Sequence, residues 1–342
     1  MTVVWIDGQY YDRDTAKISV FDHGLLYGDG VFEGIRAYSG RIFRLEQHVD
    51  RLFASAKAIW LEVPTTRAEV AGLVKEGLKR SGIADAYIRL VVTRGIGDLG
   101  LDARKCPRPT MFCITDTIKV YPPERYELGL TMVSAATPIS HRENLSPRVK
   151  SLNYLAHVLA KVEASVAGAD ECVMLDTAGF VAEASGQNIG CVHRGVVKTP
   201  PAWAGILRGV TRDAVLELAQ QAGYGVEETP LNRYDLYNAD EVFLCGTATE
   251  VVGVRSVDGR TIGDGRTGPV TKDLFSRFRH LAQRGDSGRH DRRVPAGPQA
   301  DRRGHRPAAW RNRALGRGAE RHAPASTRAQ HRANPPGDRG HG

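Results

Sequence analysis

The chain changes character at Arg284, and that break limits how much of it can fold. From there to Gly342 run 59 residues with 14 Arg and no Lys, against five acidic residues. This tail has no Ile, Phe, Tyr, Met or Cys, and its large apolar residues are Val294, Trp310 and Leu315. So little apolar surface cannot offset the entropy of ordering, and the segment is expected to be disordered. It reads either as an Arg/Gly arm for nucleic acid or another polyanion, or as an extension with no evolved role. Arg without Lys, beside abundant Gly, Pro, Ala and His, fits the second better, because shifted-frame reading of GC-rich coding sequence gives that mixture. The other 283 residues carry 33 Lys and Arg against 34 Asp and Glu. The net charge of +8 therefore belongs to the tail, and the body gives no hint of nucleic-acid binding.

A body of that size can bury a substantial core and suggests two domains. Asp7-Gly8 and Ser39-Gly40 are hairpin turns between apolar strands. Helices are expected over 46–59 and about 68–80, the second stopping at Gly82, with strands over 86–93 and 109–116. Tyr121-Pro122-Pro123-Glu124 reads as a linker. Beyond it, strands at 129–136, 171–175, 180–183, 188–193 and 196–199 alternate with helices at 153–166 and 210–222. A strand at 241–244 and a short helix at about 272–281 follow. The pattern is α+β without a repeating βα unit. The expected organisation is a small N-terminal domain over 1–120, a linker over 121–128, a large domain over 129–283 and the tail over 284–342.

Five scattered cysteines, no CxxC and no signal peptide point to a reducing cytoplasm, and no apolar run approaches a membrane span. No HExxH and no Cys/His cluster suggests a metal. Gly95-Ile96-Gly97-Asp98-Leu99-Gly100 fits GxGxxG after a strand. A dinucleotide site needs a helix to open there, and Leu101 to Pro109 does not read as one.

Lys150 is the residue with most chemical promise. A helix with Leu155, Val158, Leu159 and Val162 at i, i+3, i+4, i+7 follows it and ends at Gly168. That pattern predicts a lysine before a buried helix, where Schiff-base chemistry with a carbonyl compound or pyridoxal phosphate is the obvious use. The plainer alternative is a surface lysine near a helix start. His157, on the same helix, reads as structural. Gly209-Val210-Thr211-Arg212 opens another helix, whose free N–H groups suit a phosphate, although a cap is the commoner role. Cys245-Gly246-Thr247-Ala248-Thr249 is a second small-residue turn. Glu183 closes an apolar strand, where it is a solvated strand end or faces a pyridine nitrogen.

Together these segments resemble the fold-type-IV, class-IV pyridoxal-phosphate enzymes, and within them the branched-chain-amino-acid aminotransferases. The resemblance covers about residues 3–283. It rests on Tyr27-Gly28-Asp29-Gly30-Val31-Phe32-Glu33-Gly34-Ile35-Arg36, His48-Val49-Asp50-Arg51-Leu52, Tyr87-Ile88-Arg89, Lys150-Ser151-Leu152-Asn153-Tyr154, Glu183-Ala184-Ser185-Gly186-Gln187-Asn188, Gly209-Val210-Thr211-Arg212 and Gly246-Thr247-Ala248.

The resemblance implies an α+β fold of two domains, a small N-terminal one and a larger pseudo-barrel. It implies transamination of L-leucine, L-isoleucine and L-valine with 2-oxoglutarate, on pyridoxal 5'-phosphate bound to Lys150. Arg51 would hold the cofactor phosphate, with Gly209, Val210, Thr211 and Thr247 completing the cradle. Tyr154 would meet the phenolic oxygen, Glu183 the ring nitrogen, and Leu207 the ring face. For substrate, Tyr87 and the N–H groups of Thr247 and Ala248 would take the α-carboxylate, and Arg89 the second carboxylate of glutamate. Phe32, Tyr27 and Gly34 would line the apolar pocket. A homodimer or hexamer is implied, the small domain of one subunit covering the site of another. A D-amino-acid aminotransferase or an aminodeoxychorismate lyase shares the fold and is the nearest rival. A polyanion-binding protein acting through its tail is the rival of a different class.

Overall fold

The structure, a computed structural model, describes residues 1–119 and 121–284. The expectations of disorder and polyanion binding for the Arg-rich tail lie outside the described residues, except at Arg284 itself. The first sheet has six antiparallel strands: β1 (Val3–Ile6), β2 (Gln9–Tyr11), β3 (Gly30–Tyr38), β4 (Arg41–Ile42), β5 (Tyr87–Thr93) and β6 (Thr110–Asp116). Their order is β2-β1-β6-β5-β3-β4. A short helix, α1 (His23–Tyr27), precedes β3, while α2 (Leu45–Ala58) and α3 (Arg67–Ser81) lie between β4 and β5. Thr66 and Glu69 form a capping box at the start of α3, and Gly82 ends it in the left-handed conformation. Val49, Leu52, Val70 and Val74 from these helices join Val31, Ile35, Ile88 and Leu90 of the sheet in one buried cluster. The helices thereby cover one sheet face, as their apolar stripes require.

After α4 (Pro123–Leu128), within the expected linker, come β7 (Leu130–Ser134), α5 (Leu155–Val166), β8 (Glu171–Leu175), β9 (Val181–Glu183), β10 (Asn188–His193) and β11 (Val196–Thr199). Then follow α6 (Val210–Gln221), β12 (Gly225–Glu228), α7 (Arg233–Tyr237), β13 (Glu241–Gly246), β14 (Glu250–Val257), β15 (Arg260–Thr261) and α8 (Pro269–Arg284). The order is β12-β11-β10-β13-β14-β7-β8-β9, with β15 on β14. Because β9 pairs with β10 as well as β8, six strands close into a ring. The closing pair is Asn188 opposite Glu183. Helix α8 links the two sheets: its Phe278 packs edge-on against Tyr38 of β3 and Phe43 after β4, at centroid distances of 6.3 and 5.3 Å.

Three sequence expectations need correction. The Leu155, Val158, Leu159, Val162 stripe is not buried: these residues are 70, 53, 48 and 50% exposed. Ala160 and Ala164, on the opposite side, are the buried ones. Small residues let α5 lie close on β7 and β8, so its large apolar side chains face outward. Periodicity shows which residues share a face, not what covers it. The last helix is longer than expected, because Gly268 precedes a start at Pro269, and proline favours a first turn. The short elements α1, α4, α7, β12 and β15, and the eight-residue strand β14, were not anticipated. Gly95–Gly100 opens no α-helix.

Candidate active site

The segment carrying Lys150 lies across the end of the first sheet. Its carbonyl accepts from Phe32 N–H at 2.9 Å, and Ser151 bridges Val31. On the other side Ser55 Oγ accepts the Lys150 backbone N–H at 3.1 Å. The lysine main chain is thus held at both polar atoms, and its amine turns into a cleft of about 590 Å³ of open space. There Nζ donates to Tyr154 Oη at 3.1 Å and sits 4.5 Å from the Phe32 ring centroid. Burial, and then the charge of Arg51, lower the Lys150 pKa to about 8. An amine near neutral is what a nucleophile or proton carrier needs.

Across the cleft Glu183 ends β9 at the closing pair of the ring. Its Oε2 accepts from Leu207 N–H at 3.1 Å and Asn188 Nδ2 at 3.2 Å. Burial raises its pKa to about 8, opposed by the Leu207 N–H bond and by the charges of Lys150 and Arg51. A buried carboxylate so placed favours a cationic partner.

A third corner is positively polarised. Helix α6 begins at Gly209, which offers no side-chain cap, so its first N–H groups stay free for an anion. A Cβ on Gly209 would lie 2.1 Å from Asn188 Oδ1, so the close approach requires glycine. Beside it stands Arg51 of α2. Its Nε and Nη2 donate to the two Glu33 oxygens at 2.7 Å each, and Nη1 donates to Arg208 O at 2.9 Å. His48 Nδ1 donates to Glu33 Oε2 at 2.7 Å. Burial would raise the Glu33 pKa, but the Arg51 charge and the bonds from Arg51 and His48 outweigh it and hold it at about 2.

The fourth wall is the turn after β13. Arg36 Nη1 donates to Ala248 O at 2.8 Å, and Tyr126 Oη to Thr249 O at 3.1 Å. Opposite, Arg89 Nη2 donates to Tyr87 Oη at 3.1 Å, and its guanidinium lies 4.5 Å over the Phe32 ring. Gly34 leaves room for that hydroxyl, because a Cβ there would sit 2.2 Å from it.

Lys150, Arg51, Tyr154, Glu183, Leu207, Gly209, Val210, Thr211 and Thr247 all line this cleft, as do Gly34, Tyr87 and Ala248. Phe32 and Arg89 stand at its edge through the contacts just given. Tyr27 is the exception. Its hydroxyl donates to Leu99 O at 2.5 Å, and it is not among the residues that line the cleft of its own chain. Sequence reading missed Glu33, Ser55 and Asn188 as site residues. His48, Arg51 and Ser55 are spaced i, i+3, i+7, so their shared helix face was a usable signal.

The residues fit a pyridoxal-phosphate-type group. A near-neutral buried lysine, a buried carboxylate across from it, and an uncapped helix N-terminus beside an arginine match a carbonyl, a ring nitrogen and a phosphate. Among the described residues no cluster of three His, Cys, Asp or Glu could hold a metal ion. No helix of the described residues is long and apolar enough to cross a membrane.

The family model for class IV aminotransferases matches residues 30–257. A Methanocaldococcus jannaschii protein, provisionally named a branched-chain-amino-acid aminotransferase, is 50% identical, over 81% of this chain and 96% of its own length. The Pseudomonas aeruginosa branched-chain-amino-acid aminotransferase is 39% identical, over 80% of this chain and 90% of its own. Among solved structures, the T.th. branched-chain amino acid aminotransferase with pyridoxamine 5'-phosphate aligns at a TM-score of 0.79 and 36% identity. That alignment covers 82% of this chain and 94% of the other.

Proposed function

The chain belongs to the class IV aminotransferases, and on that footing we propose that it moves the amino group of L-leucine, L-isoleucine or L-valine to 2-oxoglutarate. The products are the branched-chain 2-oxo acids and L-glutamate, and the cofactor is pyridoxal 5'-phosphate. The observation that carries this reading is the meeting of Lys150, Tyr154, Glu183 and Arg51 around one cleft.

When bound, the cofactor supplies a carbonyl for amino groups and a pyridinium ring that draws electrons from the substrate α-carbon. Arg51 and the N–H groups of Val210 and Thr211 would hold its phosphate, with Gly209 and Thr247 shaping the cradle. Glu183 would partner the ring nitrogen and favour its protonated form. Tyr154 would donate to the phenolic oxygen, and Leu207 would pack on the ring. Lys150, whose pKa lies near neutral, would take the proton from the substrate α-carbon and deliver it to the carbon of the cofactor's carbonyl. Tyr87 and the N–H groups of Thr247 and Ala248 take the α-carboxylate. Arg89 takes the second carboxylate of glutamate at the edge of a pocket lined by Phe32 and Gly34, which lets one site accept both substrates.

We take residues 1–120 and 129–283 as two domains joined by 121–128, and the chain as a cytoplasmic homodimer or hexamer. Support for self-association comes from the exposed α5 stripe and from Leu25 and Tyr27 of α1, 60 and 36% exposed. In this reading Tyr27 completes the pocket of a second copy.

The test is the visible spectrum of the purified protein. A yellow band that bleaches with L-leucine and returns with 2-oxoglutarate is the expected result. A band that ignores L-leucine but responds to D-alanine would overturn the substrate assignment.

A further inference from the structure

Tyr154 has a single side-chain hydrogen bond among the described residues, with Lys150, so its ring plane must be set by packing. Two rings do this. The Phe32 edge meets it at 5.0 Å and 69°, and His157, one turn along α5, stacks on it at 4.6 Å and 22°. His157 is itself tied down: Nδ1 lies 3.0 Å from Ser185 O. A carbonyl only accepts, so Nδ1 carries the proton and the tautomer is fixed. Burial, outweighing the Ser185 bond and joined by the charge of Lys150, lowers the His157 pKa and so disfavours the charged ring. Ser185 follows Glu183 by two residues, and His157 shares the cleft wall with both Tyr154 and Glu183.

We propose that His157 is a positioning residue that fixes the plane of Tyr154 relative to the strand end bearing Glu183. Its flat face holds the phenol on line with Lys150, and its N–H sets that face against the 183–185 segment. Two groups assigned to the phenolic oxygen and the ring nitrogen of the cofactor thus share one mechanical link. This rests on the role given to Tyr154 above.

The experiment compares His157→Phe, which keeps a flat face, with His157→Asn, which keeps a donor but no ring to stack. The readout is the pH midpoint of the visible band of bound pyridoxal phosphate, with kcat and KM for L-leucine measured beside it. A loosened Tyr154 stabilises the ionised phenolic oxygen less, so the midpoint rises. His157→Asn is expected to raise it by about one pH unit, a tenfold change in ionisation constant, and to lower kcat more than it raises KM. His157→Phe is expected to shift it by less than half as much. Two unshifted midpoints, or two equal shifts, would overturn the proposal. Should His157→Asn not fold, His157→Leu replaces it under the same criteria. A band missing from the unmodified protein would instead overturn the functional reading itself.

Discussion

Ser55 of α2 accepts the backbone N–H of Lys150 at 3.1 Å, so a helix of the first sheet sets the height of the lysine in the cleft. Ser55 is buried, and Ser55→Ala would leave that N–H unpaired at a cost of about 1–3 kcal/mol. The variant should melt lower, keep the cofactor and lose about tenfold in kcat. Ser55→Thr, which restores the oxygen, should recover part of both. A kcat unchanged in Ser55→Ala would show that the bond is only structural.

Arg51→Lys keeps a charge but cannot reproduce the two-point contact with Glu33 or the third bond to Arg208 O. It should weaken retention of pyridoxal phosphate by tenfold or more in equilibrium dialysis, with a smaller loss for Glu33→Gln. Equal retention by Arg51→Lys would remove Arg51 from the phosphate site.

The pH dependence of the cofactor-free protein follows from two buried groups. Glu183 has its pKa raised from 4.5 to about 8, so the folded state binds more protons and stability falls as pH rises through that interval. Lys150 is lowered from 10.5 to about 8, so its penalty is relieved as pH rises from there. Their combined contribution is therefore least favourable near pH 8. Glu183→Gln should stabilise the cofactor-free protein increasingly between pH 5 and 8 in thermal melts, while weakening cofactor retention. A stability gain that is flat across that range would contradict the shift.

Gly34→Ala drives a methyl into the Tyr87 hydroxyl. The expected result is a several-fold rise in KM for amino and oxo acids alike, with cofactor affinity unchanged. A KM within error of the unmodified protein would free Tyr87 from carboxylate binding.

Val158→Glu combined with Leu159→Glu places charge on the exposed stripe of α5. Sedimentation should show the unmodified protein as a dimer or larger, and the double variant as a folded monomer. An unchanged assembly would move the contact elsewhere.

Part of the site was legible because its residues sit at punctuation, Lys150 before a helix, Glu183 at a strand end and Gly209 at a helix start, whereas Arg51, Tyr154, Leu207, Tyr87 and Arg89 were named only through the family resemblance. The first three have a local physical reason visible in a short window. What stayed hidden is relational. Ser55 and Lys150 are 95 residues apart, and only the packing of α2 brings them together. The outward stripe of α5 was misread because alanines on its other face, the real core contact, carry a weak apolar signal. That Tyr27 does not line the cleft of its own chain was also hidden, because a motif gives neighbours in sequence and not in space.

The aromatic knot of Tyr38, Phe43 and Phe278 has a temporal meaning. During synthesis the N-terminal hairpin emerges long before α8, and its two aromatic rings, which also pack against α6, gain Phe278 last among these partners. The contact of the first sheet with α8 is thus a late event in the order of synthesis, later than every residue that lines the cleft.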